Sequence, residues 1–213
     1  SSTSRGLGDV YKRQRSLRSK LQVPYSRATK AAAPSAAEKK TLEEWSQLAV
    51  DRMTMTEYRA DLWRIVSEPA KRPTEAALTT PAAKAILLKA ISDRCSEILN
   101  QKPVHHPDVQ LNLVILMTSM NASVPTNKTP VPYTGTYKTV IQVLQNPEMK
   151  LESRITAVNG LDRFLRYSAV GVAGGDLTAL QRNEIVVELV KALSASDSTG
   201  QDEGLQWFRS RLA

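Results

Sequence analysis

Residues 137–167 read YKTVIQVLQNPEMKLESRITAVNGLDRFLRY, and this stretch decides the fold. Tyr137, Ile141 and Leu144 recur at helical spacing, Asn146-Pro147 interrupts them, and Leu151, Ile155, Val158, Leu161 and Leu165 resume the period. Apolar residues three and four apart share one side of a helix, so the pattern predicts two helices joined by a turn, the second beginning at Pro147. Another second helix, with the same buried character, is expected from Pro107, forty residues earlier. One hairpin cannot cover its own apolar side, and a repeat of about that length is the mark of stacked helical hairpins. Gly160 inside the later helix costs about 1 kcal/mol relative to Ala, which close approach of a neighbouring helix would offset.

Upstream, Thr80-Pro81 supplies an N-cap followed by Pro at the first helical position, where its missing N–H is not needed. The helix expected there presents Ala83, Leu87, Ile91, Cys95 and Ile98. Its partner from Pro107 carries Val109, Leu113, Leu116 and Met120 on one face and Leu111, Val114 and Ile115 on the others. A helix that is apolar nearly all round needs cover on both sides. Earlier still, Thr41 with Glu44 three residues later forms a capping-box pattern, followed by Leu42, Trp45, Ala49 and Met53 on one face. Tyr58, Leu62 and Ile65 mark a second helix that stops before Pro69. The segments 68–81 (EPAKRPTEAALTTP) and 121–136 (NASVPTNKTPVPYTGT) read as connectors. SAVGVAGGD at 168–176 reads as a loop ending in an Asp176 cap, after which Leu180, Ile185, Leu189 and Leu193 continue the period. The expected fold is therefore all-α: stacked antiparallel hairpins over 41–68, 81–120, 137–167 and 177–213.

The two ends read differently. SRGLGDVYKRQ, residues 4–14, resembles the translation of a transposase sequencing adapter, so residues 1–14 are set apart from the fold. Residues 15–40 are rich in Ala, Ser and Lys and poor in apolar residues, and are expected to form a disordered basic tail or linker. At the other end the chain stops at Ala213 within the pattern Leu205, Phe208, Leu212 without a helix-ending residue, which reads as truncation. The formal charge of +8 suggests a nucleic-acid or anionic partner at first sight. Residues 1–14 contribute +2 of it and residues 15–40 contribute +6, leaving 41–213 neutral. No run approaches the ~18–20 apolar residues of a bilayer span.

Pro147, Arg154, Ala157 and Leu161, with an apolar helix before them and another hairpin after, are similar to HEAT and related armadillo-like repeats. The resemblance covers residues 81–213, with its best unit at 137–167. It departs from a regular array at Gln110, which stands where the later unit has Arg154, and at Arg209, which lies fifty-five residues after Arg154. No regular Asp ladder accompanies it. The resemblance implies a short, degenerate HEAT-like α-solenoid and a concave face that binds other proteins.

Chemistry-bearing groups are few. His105 and His106 sit with Asp108 in KPVHHPD, but adjacent histidines need a sharp backbone bend and a further ligand to hold a metal, and nothing is spaced to supply one. Glu148/Glu152 and Glu184/Glu188 are i, i+4 pairs that read as exposed helix faces beside Lys150, Arg154 and Lys191. GVAGGD at 171–176 lacks both the P-loop Lys and the GxGxxG spacing, and reads as a turn. Cys95, the single cysteine, falls on a buried stripe with no cation to activate it. Lys71/Arg72 and Arg163/Arg166 are the basic clusters of the neutral part, and Trp45, Trp63 and Trp207 fit helix seams as well as they fit base-stacking platforms. No catalytic, cofactor-binding or metal-binding residue is assigned. The expected function is a non-catalytic protein-interaction or scaffold module whose partner is another protein. The alternative is a helical accessory region of a larger enzyme; nucleic-acid binding ranks below both.

Overall fold

The computed structural model describes residues 3–55, 79–102, 105–124 and 129–196. Seven α-helices are present among them: α1 (Thr3–Ala28), α2 (Ala36–Asp51), α3 (Pro81–Leu99), α4 (Pro107–Ser119), α5 (Tyr137–Gln145), α6 (Leu151–Tyr167) and α7 (Ala179–Ser196). The fold is thus all-α in character, with one small exception. Within the 121–136 connector, β1 (Asn121–Ser123) pairs antiparallel with β2 (Val131–Pro132) as a two-stranded ribbon. The chain forms two compact units, residues 1–94 and 95–213, with the boundary inside α3.

In the first unit the disordered tail expected over 15–40 is replaced by structure. Helix α1 ends at Ala28 and packs along α2, and its span also takes in the whole adapter-like segment 4–14. Leu21, Tyr25 and Ala28 share one side at i, i+4 and i+7 and enter a core with Leu42, Trp45, Ala83 and Leu87. Tyr25 stacks on Trp45 with ring centroids 4.5 Å apart, and the Arg18 guanidinium lies over the same indole at 5.5 Å. Burying those faces offsets the low apolar content of the segment. Helix α2 begins earlier than the Thr41 cap predicted. Ser35 caps it instead, its Oγ accepting from Glu38 N while the Glu38 carboxylate accepts from Ser35 N at 2.8 Å, a reciprocal capping box. At α3 the predicted cap at Thr80 is present: Thr80 Oγ1 accepts from Ala83 N and donates to Ala31 O at 2.7 Å, tying α3 to the α1–α2 turn. Arg94 closes the unit on Asp51 at 2.6 Å. The expected helix at 56–65, Trp63 and Lys71/Arg72 lie outside the described residues.

In the second unit α6 is the central element, in contact with α4, α5, α7 and β2. Ala157, Leu161 and Phe164 are fully buried along it. Gly160 permits the close approach of α4: a β-carbon there would lie 2.7 Å from Thr118 Cβ, so any larger residue forces the two helices or the threonine to shift. Ser153 is also fully buried, and its Oγ has no hydrogen-bond partner. Helix α6 does not begin at Pro147. Asn146 Oδ1 accepts from Glu148 N and Asn146 O from Met149 N, so a side-chain-locked turn uses up these residues and the helix starts at Leu151. Likewise α7 is capped by Thr178, not Asp176, through a Thr178–Gln181 capping box. The fourth expected hairpin, 177–213, has its second half outside the described residues.

Three arginines hold the ends of the helices in this unit. Arg154 donates to Leu144 O at the end of α5, and Arg163 donates to Thr118 O and Met120 O at the end of α4 and to Asn121 Oδ1. Arg182 on α7 reaches Leu165 O near the end of α6, with Leu177 O and Ser168 Oγ as further acceptors. The last carbonyls of a helix lack internal partners and carry partial negative charge, so a guanidinium fork satisfies both needs.

Candidate functional site

The outer side of α7 is the surface that the fold leaves without an internal explanation. Its inner side is well anchored. Ile185 and Leu189 are buried, Glu184 accepts from Tyr137 Oη at 3.2 Å, and Glu188 accepts from Gln145 Nε2 at 2.6 Å and Lys191 Nζ at 2.7 Å. These hydrogen bonds, that from Lys191 first and that from Gln145 second, hold the Glu188 carboxyl below its ordinary pKa. On the opposite side Leu180, Val186, Val187 and Val190 are 78%, 45%, 41% and 53% exposed. Their spacing places them in one stripe along the helix. A helix that faced only water there would carry Lys, Glu or Gln, which are also better helix formers than valine. Val186, Val187 and Val190 adjoin at spacings of three and four, Leu180 precedes Val187 on the same side with the exposed Asn183 between them, and such apolar surface gains about 25 cal/mol per Å² when it is removed from water.

The residues singled out in the sequence occupy other places. His105 Nε2 is bonded to Gln101 Oε1 at 2.9 Å, while His106 Nδ1 accepts from Asp108 N as the N-cap of α4. The two imidazoles are thus spent on loop and cap. No group of three or more His, Cys, Asp or Glu that could hold a metal is found among the described residues. Cys95 is fully buried. Glu148 and Glu152 are exposed at the start of α6, whereas Glu184 and Glu188 bind α5 and are not a free pair.

The glycine loop 168–176 is packed against the β1–β2 ribbon. Gly171 and Gly174 adopt positive φ, and a β-carbon at Gly175 would lie 2.6 Å from Val131 Cγ1. Its Gly174 and Asp176 carbonyls accept from Thr134, so its built contacts are acceptors facing protein. Of the basic pair Arg163/Arg166, Arg163 is committed to the end of α4 and Arg166 to Asp162 at 2.7 Å. Trp45 belongs to the aromatic core of the first unit, and Trp207 lies outside the described residues.

The exposed stripe itself was visible in the sequence only as the excess of apolar residues in α7. Val186, Val187 and Val190 continue around the helix from Ile185 and Leu189, as the apolar residues of α4 do, and periodicity alone does not say which side is covered. No helix among the described residues is long and apolar enough to cross a membrane. In comparisons with known proteins, no family model, no curated protein and no solved structure matches this chain.

Proposed function

We propose that this chain is a non-catalytic protein-interaction module, a short HEAT-like stack of helical hairpins that docks another protein on the outer side of α7. The observation that carries the reading is the stripe of Leu180, Val186, Val187 and Val190, exposed on a helix whose other side is fixed by buried side chains and hydrogen bonds. An apolar surface on a rigid support costs the free protein and is repaid on association. The arginine-held helix ends support the same reading, because they spend on the fold the cations that a nucleic-acid surface would present.

The test is a photo-crosslinking side chain at position 187 in the source cells, with one at the exposed Lys138 as control. The expected result is a discrete adduct to one protein from position 187 that disappears when Val190→Asp is added. Adducts that ignore Val190→Asp, or none at all, would overturn the proposal. The double variant Val187→Asp/Val190→Asp should keep the wild-type unfolding free energy to within about 0.5 kcal/mol, as exposed substitutions do.

A further inference from the structure

We draw no further inference here: the strongest candidate, the loop tip where Val170 is 85% exposed beside the exposed Tyr167, is an unpartnered apolar patch and nothing in the structure shows what covers it.

Discussion

Helices α6 and α7 both carry apolar residues on more than one side, yet they meet opposite fates. α6 lies among α4, α5, α7 and the ribbon, and its side chains fill that space down to Gly160, where even a methyl group would strike Thr118. α7 is held from one side by Ile185, Leu189 and the bonds of Arg182, Glu184 and Glu188, and its valines face outward. The difference teaches that apolar content tells a helix it must be covered, whereas only its neighbours tell how far that has happened. α6 is buried along the sides it turns to its neighbours, with Glu152, Asn159 and Tyr167 left exposed, and α7 is buried along one side only.

Substitutions on the two helices should therefore separate cleanly. The largest effect is expected from Leu161→Asp on α6, which puts an unpaired carboxylate at a site with no solvent exposure. Circular dichroism should show loss of the cooperative melt of the second unit, and an unchanged melt would dissolve the contrast with α7. Gly160→Ala should come next, at about 1–3 kcal/mol, since overpacking against the stiff, branched Thr118 outweighs the gain in helix propensity. A denaturant midpoint equal to wild type would mean that α4 and α6 do not approach as closely as the structure has them. Arg163→Lys should cost about 1–3 kcal/mol, because an ammonium cannot replace a fork that serves two carbonyls and an amide oxygen. Equal stability of the lysine variant would remove the case for arginine at these helix ends.

The smallest effect concerns pH. Glu188 has its pKa lowered in the folded chain, so it favours folding above the unfolded carboxylate value of about 4.3 and that contribution is lost as pH falls through the folded value. Glu188→Gln should flatten the fall in melting temperature between neutral and acid pH, with little change in the acid range itself. A variant that keeps the wild-type slope would show that this carboxylate does not anchor α7.

Legibility in the sequence followed covalent and local signals. Thr80-Pro81 and Pro107 mark real helix starts, and Trp45 was read as a core residue, because caps and helical stripes act over one or two turns. What escaped were features set by competition between nearby signals or by distant partners. Ser35/Glu38 and Thr41/Glu44 both spell a capping box, and the structure uses the first because Tyr25 and Ala28 give the preceding segment something to pack on. That i, i+4, i+7 stripe was hidden among basic and small residues. The ribbon at 121–132 depends on the glycine loop some forty residues later, a contact no local pattern encodes. The exposed stripe of α7 was legible as composition and illegible as exposure.

The stacking of Tyr25 on Trp45 bears on where this chain can be divided. A version begun at Thr41, which the composition of the preceding residues would recommend, discards Leu21, Tyr25 and Ala28 along with the Ala31 carbonyl that anchors Thr80. It would leave Leu42, Trp45, Ala83 and Leu87 facing solvent, and the resulting stickiness could be mistaken for partner binding. Binding studies, including any salt-dependence measured to judge the positive charge on residues 15–40, should therefore be done with that region in place.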